Sequence, residues 1–370
     1  VAEAAAGEGE GQGDDEGEAA AAGAGEGEAA AAALAADGGL DGVGEAPAGA
    51  ASLLTQAVEI RQKLAQTDEE LDAVAHALGG GYVRPAVGGD LIRDGAGVLP
   101  TGRNIHALDP FRVPSAAAAA RGAQIAQKVL EAQRAAAADG AWPETVAVTL
   151  WGLNEIKTRG ESVAVVLELV GARPLSEGTG RVVRYELLPL DELRPAGRPR
   201  VDVLASLSGI FRDSFANVVE LLDDLFEEAA QADEPPERNY VRKHALELAG
   251  RGCERPAARL FSNPAGDYGS MVNERVGSGE WEEADELGET WASRNAFSYG
   301  RGAEKGQARA DVLETLLAST ERVVQMIDSV EYGLTDIQEY YANTGALKTA
   351  AEGARRRAGV GQGGGGGGGG

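Results

Sequence analysis

Four short stretches of the sequence gather acidic, basic and hydroxyl side chains at spacings that suit chemistry on an anionic or metal-bearing ligand. Glu155, Lys157, Arg159 and Glu161 crowd the segment after a β-branched run at 145–150. A helix start at Gly160 could hold an anionic group on exposed backbone N–H groups; the plainer reading is a charged loop with Glu161 as a first-turn partner of the helix dipole. Ser208, Gly209, Arg212 and Asp213 repeat the pattern after a second apolar run at 201–206. Arg212 can clamp a carboxylate through two parallel N–H bonds, and an ion pair with Asp213 is the competing use. Asn263, Asp267 and Tyr268 lie in a loop punctuated by Pro264, Gly266 and Gly269. They offer oxygen ligands on a backbone able to approach a flat ligand closely, and equally suit Asx turns that hold the loop. Glu331, Asp336 and Glu339 form an acidic cluster beside Tyr332, Tyr340 and Tyr341, the donor type that hard cations take. His244, within Arg242-Lys243-His244, and His106 complete the candidates. A lone histidine is more often structural than a ligand, and hard divalent cations prefer oxygen to imidazole.

These residues need elements to position them. Residues 53–78 place Leu53, Leu54, Val58, Leu64, Leu71, Val74 and Leu78 mostly three or four apart, and Thr67-Asp68-Glu69-Glu70 has the form of an N-cap with first-turn acids, so a helix pair is expected. Residues 82–110 are rich in Gly and Pro and predict an extended strap. Ser115 is placed to cap a helix running to about residue 138. From residue 144 the pattern alternates. The continuous β-branched run at 145–150 suits a strand buried on both faces, and residues 161–170 are apolar at helical spacing up to Gly171. Residues 182–190 and 201–206 read as two more strands, and residues 211–230 as an amphipathic helix. That order predicts an α/β fold: a Rossmann-like parallel sheet layer with flanking helices, followed by a helical and turn-rich C-terminal part. There, residues 240–249 and 310–329 should be helical and residues 260–276 turn-rich. The loops at 154–161 and 208–213 should then lie side by side at one sheet edge, giving a mixed charged rim of Glu155, Lys157, Arg212 and Asp213. In that arrangement Arg212→Ala would weaken ligand binding and leave thermal stability nearly unchanged.

Composition bounds the rest. Residues 1–50 hold twelve Asp or Glu, no Lys or Arg, and otherwise mainly Ala and Gly; such a leader cannot bury a core and is expected to be disordered. The run Gly363 to Gly370, after Arg355, Arg356 and Arg357, predicts a disordered tail over 353–370. Between them the boundaries expected are 51–143 for helices and strap, 144–250 for the α/β layer and 251–352 for the remainder. Net charge is −25, and about −13 remains without the leader, which argues against nucleic-acid partners. Cys253 is the single cysteine, so an internal disulfide and a multi-cysteine metal site are excluded and a reducing compartment fits. No apolar run approaches the roughly 20 residues of a spanning helix. Trp142, Trp151, Trp281 and Trp291 could stack on a flat ligand, although core packing is the commoner use of any one of them. No Walker-type phosphate loop is present, so ATP hydrolysis by this chain is not expected.

Seven blocks then carry a family resemblance. They are Gly80-Gly-Tyr-Val-Arg-Pro85, Val98-Leu-Pro-Thr-Gly-Arg-Asn-Ile-His-Ala-Leu-Asp-Pro110, Leu150-Trp-Gly-Leu-Asn-Glu-Ile-Lys-Thr-Arg-Gly-Glu161, Ser208-Gly-Ile-Phe-Arg-Asp213, Asn239-Tyr-Val-Arg-Lys-His-Ala245, Phe261-Ser-Asn-Pro-Ala-Gly-Asp-Tyr-Gly-Ser270 and Tyr332-Gly-Leu-Thr-Asp-Ile-Gln-Glu-Tyr-Tyr-Ala-Asn343. In this order, over about 270 residues, they resemble the large subunit shared by magnesium chelatase and aerobic cobaltochelatase. Their wording is closer to the magnesium branch, and to bacteriochlorophyll-type or second-copy algal versions more than to the main plant form.

The resemblance implies insertion of Mg²⁺ into protoporphyrin IX in chlorophyll biosynthesis. It also implies an AAA+ ATPase and an integrin-like subunit as partners that hydrolyse the ATP, and a place in the chloroplast stroma or a bacterial cytoplasm. Such chemistry removes two pyrrole N–H protons and delivers a reluctantly dehydrated cation through oxygen ligands. Asp336 and Glu339 are the catalytic candidates it implies; Glu331, Asp336 and His244 those for metal; Glu155, Lys157, Glu161, Arg212, Asp213, Asn263 and Asp267 those for the tetrapyrrole. Asp336 carries over directly, whereas many relatives have His at Glu339 and Asp at Ala342. The family's chain is several times longer, with an essential glutamate in an upstream half that has no counterpart here. This chain, which begins with Val, is therefore expected to be a middle-to-late slice, inactive alone in both ATP hydrolysis and Mg²⁺ insertion. Two alternatives stand beside the reading: a truncated, non-catalytic tetrapyrrole-binding or regulatory paralogue, and a cobaltochelatase large subunit.

Overall fold

The computed structural model describes residues 50–87, 95–106, 108–302, 305–326 and 339–363. The acidic leader before residue 50 and the candidates Glu331 and Asp336 lie outside the described residues, as does the side chain of Glu339. The chain forms two compact units, residues 1–107 and 108–370.

In the first unit, α1 (Ala50–Ala65) and α2 (Glu69–Leu78) form the expected helix pair. The strap contains two three-residue strands, β1 (Pro85–Val87) and β2 (Asn104–His106), paired in parallel. The Thr101 hydroxyl donates to Glu70 Oε2 at 3.1 Å, tying strap to helix within the unit.

The second unit opens with α3 (Ala116–Ala136), whose Ser115 cap accepts from the Ala118 N–H. Then come β3 (Thr145–Leu150), α4 (Gly152–Thr158), α5 (Glu161–Val170), β4 (Ala172–Ser176), β5 (Val182–Leu187) and β6 (Asp202–Leu207). They are followed by α6 (Gly209–Ser214), α7 (Ala216–Gln231), α8 (Tyr240–Gly250), β7 (Leu260–Ser262), α9 (Val272–Ser278) and α10 (Ala284–Arg294). Last are β8 (Phe297–Ser298), β9 (Gln307–Ala308), α11 (Ala310–Ser319), β10 (Thr320–Val324) and α12 (Glu339–Gly363). The central sheet has the order β10-β3-β6-β7-β8-β9, parallel from β10 to β7 and antiparallel at β8 and β9. Every residue of β3 and β6 is buried, as continuous Val and Leu runs require when helices cover both faces. Alternation divides them: Val146, Val148, Leu150, Val203 and Ala205 join one apolar core with α5 and α7, while Ala147 and Leu204 join another with α11 and α12. The fold is thus α/β, a mainly parallel sheet between helical layers with a helical C-terminal part.

Four expectations needed correction. Residues 182–187 do form a strand, but it pairs with β4 in a separate antiparallel hairpin and not in the central sheet. Its burial, with Val182 and Tyr185 buried and the residues between them exposed, is that of a half-covered ribbon. Residues 260–276 contain β7, a central-sheet strand. The helix expected over 310–329 stops at Ser319, and Thr320, Val323 and Val324 supply the β-branched residues that pair with β3 as β10. The C-terminal helix runs on to Gly363 instead of giving way to a tail at residue 353. Ala350, Ala351 and Ala354 are buried in it, and Arg356 and Arg357 pair with Asp285 and Glu314.

Candidate functional site

Because β3, β6 and β7 run parallel, their carboxyl ends reach one edge, where open parallel sheets bind ligands. Leu150 pairs directly with Leu207, so the turns that follow leave the sheet together. The Gly152 N–H donates to Ser208 Oγ at 3.1 Å, and the Ser208 N–H donates to Leu150 O at 3.0 Å. Ser208 Oγ also accepts from the Phe211 N–H at 3.1 Å, capping α6. A Cβ on Gly152 would lie 2.5 Å from Ile210 Cγ2 and 2.8 Å from the Phe211 nitrogen. Only glycine lets α4 and α6 begin this close. The loops at 154–161 and 208–213 are neighbours, as the parallel topology demands.

Between the strand ends lies a narrow cleft with a free volume of about 10 Å³, room for one water-sized atom. Trp151, Ser206 and Ser208 form its floor; Asn263, Tyr268 and Ser270, from the loop after β7, form one wall; Asn295 and Asn343 close it from the helical part. Among the described residues, no carboxylate, lysine or arginine lines it. Asn343 Oδ1 accepts the Trp291 indole N–H at 2.7 Å; because that indole can only donate, the amide nitrogen of Asn343 is left for other acceptors. Asn295 is oriented the opposite way, its amide donating to Trp291 O at 2.9 Å. Ser206 is only 4% exposed, and no hydrogen bond among the described residues engages its hydroxyl.

The charged residues expected at the rim have other partners. Glu155 is fully buried, and its carboxylate accepts from the Val163 N–H at 3.4 Å. It thereby occupies the start of α5, the position suggested for an external anion. Burial pushes its carboxyl up to about 7, against the lowering effect of hydrogen bonds from Ser162 and Val163. The Thr158 hydroxyl takes the Glu161 N–H at 3.2 Å, and Glu161 is buried with Arg121 3.2 Å away. Lys157 is half-buried on α4.

The structure does bring Arg212, Asp213, Asn263 and Asp267 together, as a brace. The Arg212 guanidinium is buried and grips Asp213 through two bonds of 2.7 and 3.0 Å. Its Nη1 donates to Asn263 O, Asn263 Oδ1, Pro264 O and Asp267 O at 3.0 to 3.3 Å. Asp267 also pairs with Arg294 at 2.5 Å, and the Tyr268 hydroxyl donates to Asp213 at 2.8 Å. Hydrogen bonds from Arg212 hold the Asp213 carboxyl below the ordinary aspartate range. Arg212 therefore staples the loop after β7 to α6 and shapes the cleft wall from behind.

His244 belongs to the opposite edge. Its Nδ1 lies 2.8 Å from Asp202 and its Nε2 3.3 Å from Glu144, and Arg259 Nε donates to Asp202 at 2.7 Å. Burial alone would lower the imidazole, yet the bonds to Asp202 and Glu144 outweigh it and raise it to about 9. The bond from His244 takes Glu144 down to about 2. With both ring nitrogens engaged, His244 is a fixed cation inside the fold. His106 lies on β2 in the first unit. Among the described residues no group of three or more His, Cys, Asp or Glu could hold a metal ion, and no helix is long and apolar enough to cross a membrane.

Sequence reasoning missed Ser206, Asn295 and the outward amide of Asn343. Uncharged residues leave no mark in a charge pattern, although Ser270 and Asn343 each end one of the seven blocks.

Comparison with known proteins places these features in a wider set. A family model described as CobN/Magnesium Chelatase matches residues 4–359. The chain is 44% identical over 298 residues to a magnesium-chelatase subunit of Chlorobaculum parvum, covering 80% of this chain and 23% of that one. It is 43% identical over 284 residues to the chloroplastic magnesium-chelatase subunit ChlH of Oryza sativa subsp. indica, covering 75% and 20% respectively. Among solved structures, the catalytic subunit of cobaltochelatase from Mycobacterium tuberculosis superposes with a TM-score of 0.77 at 33% identity, over 83% of this chain and 26% of that one. The chain spans between a fifth and a quarter of the length of the curated relatives it matches.

Proposed function

Since the chain belongs to the CobN/magnesium chelatase family, we propose that it forms one wall of the tetrapyrrole site in a chelatase large subunit and that the metal inserted is Mg²⁺. The observation that carries this reading is the polar cleft at the carboxyl edge of the sheet, lined by residues of four of the family-like blocks. The rest of the chemistry requires groups this cleft does not supply. Deprotonation of the pyrrole nitrogens is assigned to Asp336 and Glu339, and Mg²⁺, the substrate metal, to oxygen donors including Glu331 and Asp336. ATP hydrolysis is assigned to AAA+ and integrin-like partner subunits, in keeping with the absence of a phosphate-loop motif from the sequence. Protoporphyrin IX, chlorophyll biosynthesis and a stromal or bacterial cytoplasmic setting follow from the same reading, supported by the chloroplastic rice relative and the bacterial one.

Cobalt insertion into a corrin is the second reading, favoured by the cobaltochelatase superposition. Identities of 44% and 43% to magnesium-chelatase subunits, against 33% to that cobaltochelatase, support magnesium. Titration of the full chain with deuteroporphyrin IX and with a corrin, followed by tryptophan quenching, separates them: saturable binding of the porphyrin in preference to the corrin is expected. Failure to bind the porphyrin refutes the proposal. Porphyrin binding with no contribution to Mg²⁺ insertion, when the remainder of the subunit and the ATPase partners are supplied, favours a binding paralogue instead.

A further inference from the structure

The groups facing the cleft are unbalanced in a way that points to one kind of ligand atom. Ser208 Oγ already accepts two backbone N–H bonds, from Gly152 and Phe211, so what it offers a ligand is its proton. Asn343 spends its carbonyl on Trp291 and offers its amide hydrogens. The buried Ser206 hydroxyl adds a third donor. These donors outnumber the acceptor that Asn295 leaves over, its Oδ1, and among the described residues no cation lines the cleft. The nearest guanidinium, Arg212, is consumed by Asp213 and by four oxygens of the loop after β7. A full negative charge buried here would lose its hydration without gaining an opposite charge, which is costly. A neutral carbonyl oxygen loses less and can take two of these bonds.

We infer that the cleft recognises an uncharged carbonyl oxygen, such as that of an esterified, amidated or protonated carboxyl side chain on the tetrapyrrole, through the Ser206 and Ser208 hydroxyls and the Asn343 amide. This rests on the tetrapyrrole reading and replaces the Arg212 clamp expected from sequence with neutral recognition. Ser206 and Asn343 are binding residues in this scheme, whereas Arg212 positions the wall.

The test compares binding of deuteroporphyrin IX and its dimethyl ester to the full chain in one detergent buffer, at low and high NaCl, for the wild type, Ser206→Ala and Asn343→Asp. The ester should bind at least as tightly as the free acid, and raising the salt should change its affinity less than about twofold, since no ion pair is screened. Ser206→Ala should weaken ester binding about three- to tenfold, the loss of one hydrogen bond, with Tm unchanged. Asn343→Asp retains an oxygen for Trp291 but presents an acceptor to an acceptor, so a loss above about tenfold is expected. Should Asn343→Asp fail to fold, Ser206→Ala decides alone. Free acid bound in preference to ester, with affinity collapsing in salt, overturns the inference in favour of charge recognition. Binding of both ligands with the variants indistinguishable from wild type overturns the cleft assignment and leaves the tetrapyrrole reading intact. No binding of either ligand by the wild type overturns both.

Discussion

At the amino edge of the central sheet Arg259, Asp202, His244 and Glu144 form a chain of charges, the first three of them buried, each answered by the next. At the carboxyl edge, four and six residues beyond Asp202, Ser206 and Ser208 open onto a cleft with no charged lining among the described residues. Charges packed this tightly have no valence left for a ligand and serve to lock β3, β6, β7 and α8 in place. Neutral groups are cheaper to leave half-satisfied at a surface, so they are the ones free to meet something else. The contrast separates what holds this fold from what the fold can present.

The sharpest way to break it is at the locked edge. Asp202→Ala leaves Arg259 and His244 buried without their shared carboxylate, and a loss of about 3–5 kcal/mol is expected by chemical denaturation. A loss under about 1 kcal/mol would mean that the amino edge is no lock. Arg212→Ala should cost about 2–3 kcal/mol, because the loop carbonyls it serves lose their donor; an unchanged Tm would restore the external clamp expected from sequence.

Two pH dependences sharpen the picture. Glu155 is raised to about 7 in the folded chain, above its ordinary 4.5, so the folded state holds the extra proton between those values and stability falls as pH rises through them. Glu155→Gln should therefore stabilise by roughly 3 kcal/mol at pH 8 and by nothing below about pH 4. His244 shifts stability with pH in the same direction, but its charge stabilises the fold where that of Glu155 destabilises it. Raised to about 9 from 6.5, it contributes stability that is full below about pH 6.5 and lost as pH rises through about 9, so removing it should matter at pH 6 and little at pH 10. The smallest effect belongs to the open edge: Ser208→Ala removes the cap of α6 and should cost about 1 kcal/mol, read as a shift of a few degrees in Tm.

Much of this architecture was legible in the residues. The Ser115 cap, the buried run of β3 and the apolar helix ending at Gly171 all announce themselves through periodicity and local hydrogen bonding. β5 was legible as a strand but not as a hairpin partner, since pairing is a long-range choice that its own side chains do not encode. β10 was hidden because Val323 and Val324 extend the apolar spacing of α11, and only the vacant edge of β3 makes extended backbone the better option. At the site, attention to charged and oxygen-bearing side chains found Arg212, Asp213, Asn263 and Asp267, which do cluster, but it assigned them to the ligand when they are spent on one another. The groups left over, Ser206 and the Asn343 amide, become visible only when every bond is counted.

The pairing of β10 with β3 also sets a timetable. Thr149 and Val324, joined across that pair, stand 175 residues apart. At a translation rate of about 5–20 residues per second, roughly 9–35 s separate the emergence of β3 from that of the strand that covers its outer edge. Throughout that interval a continuous Val-rich strand has one flank of N–H and C=O groups unanswered, the geometry that recruits strands from neighbouring nascent chains. Shielding that flank until Thr320 to Val324 arrive is therefore expected to raise the yield of folded chain in coupled translation, read as the soluble fraction with and without a ribosome-associated chaperone.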